Sequence, residues 1–296
     1  MAVSVTSKIK SILATQKRDE ALGVDRVLAL LAEVKTQIIG ELATAQAGSY
    51  SAYHLKSSLN SIERHLSDWQ SAATRELGAG LGASWTAGAG LLTEAATAAG
   101  VQTGSYWIST HLLDSLKDFA FGRISAVGGD AFNKIKGELT MGILGQKTPQ
   151  EVAARIAGNL GGRSIFKSIA ERSEVITGLE MGRAFSMGTQ LSMEKAADTL
   201  PELKRMWLHA GHPGAPRAIH LALHGQVRGM DKPFYKTAEG SKVMYPRDPK
   251  APVKEVIRCG CTHTPWMPQF GEQKAFAQDF DTRQLEMWKG EGRKAA

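Results

Sequence analysis

The sequence predicts an α+β protein in which an elongated, mainly helical N-terminal region precedes a small C-terminal domain with short strands. Apolar side chains recur at helical spacing over roughly the first 200 residues. Short β-like runs between Gly- and Pro-rich turns follow. At 296 residues the chain can bury a sizeable core. We therefore predict three segments: a helical hairpin over 1–77, a Gly/Ala-rich segment and helical region over 78–200, and an α+β domain with a basic tail over 201–296.

Two seven-residue repeats predict the N-terminal hairpin. One helix carries Val24, Leu31 and Ile38 at this spacing, and the next carries Leu55, Ile62 and Trp69. Gly48 predicts the end of the first helix, and Ser49 predicts the start of the second. The two apolar seams can pack on each other, which we favour, or dock in part on another subunit. The polar first twenty residues are expected to be frayed or ordered only by a partner.

Small residues interrupt this helical pattern between Gly78 and Gly104. The stretch is interpreted as a hinge, as a site of close helix packing, or as a segment that unfolds to pass through a pore. Asp130 is then expected to cap a further helix. The segment Thr148–Pro149–Gln150–Glu151 predicts another helix start. The Thr148 side chain can accept a hydrogen bond from the Glu151 amide, and the Glu151 side chain can accept one from the Thr148 amide. A longer helix is predicted from about Ser164 to Ala197.

The residue types that carry chemistry are concentrated between Leu203 and Pro268. This stretch holds five of the eight histidines and both cysteines. Two cysteines one residue apart do not form an ordinary disulfide framework, so a reducing compartment or a metal is favoured. Short strands are predicted at Lys204–His209, Ser241–Tyr245, Glu255–Arg258 and Thr262–Trp266.

Several motifs follow one another in this region. A tryptophan lies in the first strand, and the other motifs are His220, the turn Ala222–Leu223–His224–Gly225, and the segments Pro246–Arg247–Asp248–Pro249 and Ile257–Arg258–Cys259–Gly260–Cys261. Their order resembles the C-terminal domain of the phage Mu F-like family of head morphogenesis proteins, also called minor head proteins. That family shows a tryptophan strand, a His or Cys before A-x-L-D-G, a P-x-D-P turn and a closing I-N-C-R-C.

The resemblance covers about the last third of the chain, and several residues there differ from the motifs of the family. His224 replaces the usual Asp of the turn, and Arg258 and Gly260 replace Asn and Arg in the closing motif. Upstream, the helical segment Glu171–Arg172–Ser173–Glu174 is similar to the R-T-E helix of the family.

The resemblance also implies a metal site. In cysteine-rich relatives a C-P-x-C segment precedes the turn; its second cysteine falls on His220, and its first falls near Arg217, which cannot bind a metal. Cys259 and Cys261 would face the same side of a strand. With His220 they are the predicted ligands of a structural zinc ion, which needs four N or S donors. The fourth ligand is left open among His209, His212, His224 and His263. The alternative is a vestigial site with buried thiols, in which His220 bonds the backbone.

The resemblance further implies a non-enzymatic protein of the virion, inside the capsid next to the portal, and present in the host cytoplasm during assembly. It would take part in head assembly and in DNA packaging or ejection. The implied partners are the portal protein, capsid or scaffold proteins and double-stranded DNA bound without sequence choice, with self-association through the N-terminal helices as a further possibility. One alternative is a metal-dependent nuclease or toxin-like enzyme that uses the His/Cys cluster. Another is a free-standing cytoplasmic DNA-binding scaffold.

The charge distribution favours a polyanionic partner. Of a net charge of +7, most lies from Pro201 onward, where 16 Lys and Arg oppose 10 Asp and Glu. Such an excess suits DNA, although it is also typical of a solubilising surface. Lys289, Arg293 and Lys294 are the predicted DNA-binding residues, because cations hold phosphates of any sequence. We expect no signal peptide and no membrane span, and no Gly-rich phosphate loop followed by Lys-Ser/Thr occurs.

Overall fold

The computed structural model describes residues 4–44, 52–104, 108–144, 146–147, 149–157, 165–209 and 217–271. Long helices come first, and a small region with short antiparallel strands follows, which confirms the α+β prediction. The helices of the first part are α1 (Val5–Thr44), α2 (Ala52–Ala98), α3 (His111–Ile143), α4 (Pro149–Ala157) and α5 (Ile165–Ala196). None of the helices within the described ranges is long and apolar enough to cross a membrane.

The C-terminal region contains a three-stranded antiparallel sheet and a separate two-stranded hairpin. Its elements are β1 (Lys204–Leu208), α6 (Ala218–Leu223), β2 (Val227–Gly229), β3 (Tyr235–Lys236), β4 (Lys242–Val243), α7 (Val253–Val256), β5 (Thr262–Trp266) and a 3₁₀ turn (Pro268–Phe270). Strand β1 is central and pairs with both β2 and β5, whereas β3 pairs with β4. The predicted strand at Glu255–Arg258 is wrong, because local hydrogen bonds close the helical turn α7: the Glu255 N–H donates to the Pro252 carbonyl and the Ile257 N–H to that of Val253.

The chain forms two compact units, each discontinuous in sequence. Unit 1 comprises Met1–Glu20, Leu81–Asp114 and Leu179–Ala296, and unit 2 comprises Ala21–Gly80 and Ser115–Gly178. Helices α1, α2, α3 and α5 contribute residues to both units. These units group residues that lie close in space. The predicted division of the sequence into three segments stays a prediction.

In unit 1, the start of α1 belongs to the hydrophobic core. Val5, Ile9 and Leu13 are buried at a spacing of four residues, which places them on one face of the helix. They share their cluster with residues of α2, α5 and β1, including Leu91, Leu92, Met193, Met206 and Leu208. The expectation of frayed first residues is therefore wrong, because three apolar side chains among many polar ones are enough to bury this helical face.

In unit 2, the predicted apolar seams are buried within the chain. The buried residues are Val27, Leu31, Val34 and Ile38 of α1, Ile62, Leu66, Trp69 and Ala73 of α2, and Ile124, Val127, Ala131, Ile135 and Leu139 of α3. Of the predicted seam residues, Leu31, Ile38, Ile62 and Trp69 are thus buried within this chain, whereas Val24 is half-buried. Gly48, Ser49 and the side chain of Leu55 lie outside the described residues.

Helix α3 runs through the position where a new helix was expected. Asp130 lies inside it and does not cap a helix; its carboxylate instead accepts a hydrogen bond from Arg172 of α5 at 2.6 Å. Both side chains are largely exposed, so this ion pair contributes little to stability. Helix α4 begins at Pro149, as the sequence indicated, while its predicted cap Thr148 lies outside the described part of the chain.

Of the three interpretations of Gly78–Gly104, close helix packing is the one that the structure shows. Helix α2 continues through this stretch to Ala98. A Cβ atom added at Gly88 would overlap the carbonyl of Phe185 in α5, and one added at Gly188 would lie 2.5 Å from the carbonyl oxygen of Trp85 in α2. The two helices approach so closely that only hydrogen fits at these two positions.

We predict opposite effects for alanine at two neighbouring glycines of α2. Gly88→Ala should lower the free energy of unfolding by about 1–3 kcal/mol, because α5 must move away from the new methyl group. Gly90 has open space around it, so Gly90→Ala is the matched control and should raise stability by up to about 1 kcal/mol. Urea denaturation measures both. Equal stabilisation by the two substitutions would contradict close packing at Gly88.

Candidate metal site

Helix α6 and its flanking turn place His220 beside strand β1. His220 is 3% exposed, and its ring lies 5.5 Å from the ring of Trp207. Gly225 follows α6 with φ 74°, a conformation that favours glycine, and its N–H donates to the carbonyl of Trp207 at 2.8 Å. The Ala222–Leu223–His224–Gly225 turn therefore fixes α6 to the central strand.

The two cysteines lie in the connection between α7 and β5. The Cys259 N–H donates to the carbonyl of Val256 at 3.1 Å, and Cys261 directly precedes β5. Arg258 has φ 52°, a left-handed conformation in which a non-glycine residue is disfavoured. The sulfur atoms are brought together by a turn and not by the predicted alternation along a strand.

The three predicted ligands meet in one buried cluster. His220 Nδ1 lies 3.5 Å from Cys259 Sγ and 3.6 Å from Cys261 Sγ, and all three ligand atoms lie within 4.8 Å of one another. A tetrahedral zinc ion with Zn–S bonds of about 2.3 Å and a Zn–N bond of about 2.05 Å imposes N···S separations of about 3.5 Å. The donor types and their spacing therefore both fit zinc.

An apolar shell surrounds the cluster. Trp207, Leu223 and Phe234 pack with the two cysteines, and the Trp207 and Phe234 rings meet edge to face at 5.2 Å. Tyr235 borders the shell and donates its hydroxyl hydrogen to Glu255 at 2.6 Å, while burial raises its pKa. Such a shell excludes water, as in structural metal sites and not in open catalytic ones.

The ring nitrogens of His220 argue against the vestigial alternative. Nδ1 faces the two sulfur atoms, and Nε2 is buried without a hydrogen-bond partner among the described residues. That alternative expected His220 to bond the backbone. A buried imidazole that offers Nδ1 to two thiols is arranged as a metal ligand instead.

The two thiols form an unequal pair without a metal. A hydrogen bond from Cys261, helped by His220 and the Arg247 guanidinium, lowers the pKa of Cys259, whereas burial raises the pKa of Cys261. The Cys259 thiol thus gives up its proton more readily than the Cys261 thiol, which retains its own. Zinc binding would displace that proton, because thiolates are the ligating form.

The fourth ligand does not come from the described residues. Within those residues, no further His, Cys, Asp or Glu joins His220, Cys259 and Cys261. The ring of His224 instead accepts the backbone N–H of His209 at 2.9 Å. His263 stacks on Tyr245 at 5.7 Å, and burial together with nearby Arg205 lowers its pKa. The remaining candidate, His212, lies outside the described residues.

Arg217 has a structural role that the sequence did not reveal. Its guanidinium donates to the carbonyl of Lys254 at 3.0 and 2.7 Å and to that of Ile257 at 2.8 Å. The side chain thus ties the start of α6 to α7. It holds together the two segments that carry His220 and Cys259.

The predicted DNA-binding residues Lys289, Arg293 and Lys294 lie outside the described residues. Sequence reasoning also missed Arg247, whose Nε donates to the carbonyl of Cys259 at 2.7 Å. The sequence did contain an indication that Arg247 matters, since it lies in the Pro-Arg-Asp-Pro turn that forms part of the resemblance. Its partner Glu20 is 227 residues away along the chain, and no local pattern connects them.

Comparison with known proteins adds little about function. No family model matches the chain, and no solved structure matches it. A stretch of 63 residues, 21% of the chain, is 36% identical to an uncharacterized protein, YqbB, of Bacillus subtilis (strain 168). The match covers 21% of that relative's length, so it shows similarity over a short segment and does not show a family.

We predict that the purified protein contains zinc in near-stoichiometric amount and that Cys259→Ser removes it. The variant should lose about 3 kcal/mol or more of unfolding free energy, because the free energy of metal binding contributes directly to folding. Elemental analysis and thermal unfolding measure the two effects. A strong chelator should reduce the wild type to the stability of the variant and leave the variant unchanged. Metal-free protein with identical unfolding curves for both chains would refute the site.

We also predict that relaxing the backbone beside Cys259 stabilises the protein. Arg258→Gly should raise the unfolding free energy by about 1 kcal/mol, because glycine adopts positive φ without the steric clash of a side chain. Arg258→Asn should give a smaller gain, since asparagine is enriched in this region. Lys254→Gly, in the helical turn α7, is the control and should destabilise. A loss of stability in Arg258→Gly would show that the arginine side chain makes a needed contact.

Proposed function

We propose that the chain is a non-enzymatic minor head protein of a phage, resident in the capsid interior next to the portal and active in head assembly. The observation that carries the proposal is the convergence of the motifs behind the Mu F-like resemblance. Trp207, His220, Leu223, Cys259 and Cys261 come from three separate motifs and belong to one buried cluster. Motifs that form one structural unit are better support for a family resemblance than the same residues scattered over a surface would be.

The Pro-Arg-Asp-Pro turn supports the same proposal. Asp248 is 2% exposed, and its two carboxylate oxygens accept the N–H groups of Met244 and Lys250, each at 2.9 Å. Its carboxylate is therefore fully engaged in shaping the turn. The carboxylate of this motif has a folding role, as expected for a structural module.

The nuclease alternative finds less support. A metal-dependent nuclease needs carboxylate ligands and an open coordination position. The described cluster holds one histidine and two cysteines, all buried. Glu255, the nearby acid, is engaged by the Tyr235 hydroxyl. DNA cleavage by the purified protein that disappears in His220→Ala would nevertheless favour the enzyme over the head protein.

The proposed partners must bind surfaces other than the helical seams. Leu31 and Ile62 are 4% and 0% exposed, so docking through the seams would require unpacking of the chain's own core. The start of α1 is also part of the unit 1 core, so removal of residues 1–77 would damage that core. Contact with the portal or with a second copy is therefore proposed for outward-facing residues of the helices.

The proposed DNA contact is supported by exposed cations of the C-terminal region. Lys236 and Lys242 stand directly opposite each other in the β3–β4 hairpin, and both are exposed. Like charges in this position repel each other. A phosphate backbone would relieve that repulsion and would be bound without sequence choice.

We predict that mass spectrometry of purified phage particles that carry the gene detects the chain in mature heads. The Cys259→Ser variant should be depleted, because a destabilised C-terminal region is poorly incorporated. The major capsid protein serves as the internal standard. Comparison of particles before and after DNA release shows whether the chain leaves with the DNA. Its absence from washed particles would overturn the proposed location, whatever the outcome of the zinc measurement.

A further inference from the structure

Arg247 occupies a backbone conformation that its residue type disfavours. Its φ is 64°, in the left-handed region where glycine is the usual residue. It lies between Pro246 and Asp248, in the turn that the Asp248 carboxylate shapes. A large charged residue at such a position indicates that the contacts of its side chain offset the backbone strain.

The side chain of Arg247 connects three parts of unit 1. Nε donates to the Cys259 carbonyl at 2.7 Å, and the two terminal nitrogens donate to the Glu20 carboxylate of α1 at 3.3 and 3.4 Å. The backbone carbonyl of Arg247 accepts from Arg183 of α5 at 3.2 Å. The Arg247 side chain is 10% exposed. Such a pair is screened less by water than a surface ion pair.

Helix α5 provides space for this guanidinium at one glycine. A Cβ atom added at Gly182 would overlap Nη1 and Cζ of Arg247 and lie 2.9 Å from its Nε. The guanidinium therefore rests directly on the bare backbone of α5. Any side chain at position 182 would have to displace the group that donates to Cys259.

We propose that Arg247 is a positioning residue for the metal site, which it couples to helices α1 and α5. The inference rests on the proposed zinc site. The N–H of Cys259 is held by Val256 and its carbonyl by Arg247. These two bonds fix the peptide planes on both sides of the cysteine and hence the direction of the Cα–Cβ bond from which Sγ projects. Residues that fix a ligand in this way commonly alter metal affinity by 10- to 100-fold.

The coupling must act in both directions. If Glu20 and Gly182 hold Arg247 where metal binding needs it, then bound metal must strengthen the contact of Arg247 with those residues by the same factor. Metal at His220, Cys259 and Cys261 would thus secure the start of α1 to the C-terminal region.

The decisive experiment measures zinc affinity by competition with a chromogenic chelator in four full-length chains: wild type, Gly182→Ala, Arg247→Lys and Gly90→Ala. Gly182→Ala changes neither the three ligand residues nor the identity of Arg247 but displaces its guanidinium, and Arg247→Lys keeps the charge but not the forked donor geometry. Both should bind zinc about 10- to 100-fold more weakly. Gly90→Ala, an alanine in open space on α2, should bind like the wild type.

Cobalt absorption separates positioning from a general loss of structure. With Co²⁺ in place of zinc, Gly182→Ala should retain thiolate-to-cobalt absorption, which shows that the ligands are present, but with a shifted band pattern and weaker binding. Zinc should also raise the melting temperature less in Glu20→Gln than in the wild type. Wild-type affinity and an unshifted cobalt spectrum in either Gly182→Ala or Arg247→Lys would overturn the positioning role. A wild type that binds neither ion would instead overturn the metal site itself.

Discussion

The C-terminal region depends on one buried cation, Arg205 of the central strand β1. The side chain is 0% exposed and donates to the carbonyls of Met244, Gly229 and Lys232, and to Gln190 of α5. Burial lowers its pKa to about 10, so the group remains charged at neutral pH. Strands of two to five residues form few ladder hydrogen bonds. Charged hydrogen bonds, typically worth about 1.5–3 kcal/mol each, hold these short segments together instead.

The same strand separates two environments. Met206 and Leu208 point into the core that β1 shares with α1, α2 and α5, while Trp207 points into the shell around the cysteines. Alternation along β1 thus assigns one face to bulk packing and the other to the candidate site. Displacement of Trp207 would therefore also disturb the core on the opposite face of the strand.

Local patterns in the sequence were enough to predict most of the long helices and strands β1 and β5, whereas the grouping of His220 with the two cysteines was implied by the family resemblance. They failed where distant contacts decide the structure. The sequence of the first turns of α1 is mostly polar, yet Val5, Ile9 and Leu13 are buried in the core. Asp130 has the residue type of a helix cap, yet it lies inside a helix that continues on both sides.

Helix α5 shows why amphipathic patterns mislead. It buries Thr177, Glu180, Arg183 and Gln190 as well as apolar residues, so its polar positions do not mark a solvent face. The contacts of Arg247 with Glu20 and Gly182 could not be predicted from the sequence either. A helix glycine that packs against a guanidinium does not differ in sequence from any other helix glycine.

The discontinuity of the two units has a consequence for synthesis on the ribosome. All residues of unit 2 lie between Ala21 and Gly178, so all of them are synthesised before the C-terminal region is translated. Unit 1 needs both Val5 and Phe270 for its core. The start of α1 can therefore complete its packing only after nearly the whole chain has emerged. Contacts between such distant residues form slowly because a long loop must close first. Until then, the apolar face formed by Val5, Ile9 and Leu13 lacks the part of its core that β1 and the C-terminal 3₁₀ turn supply.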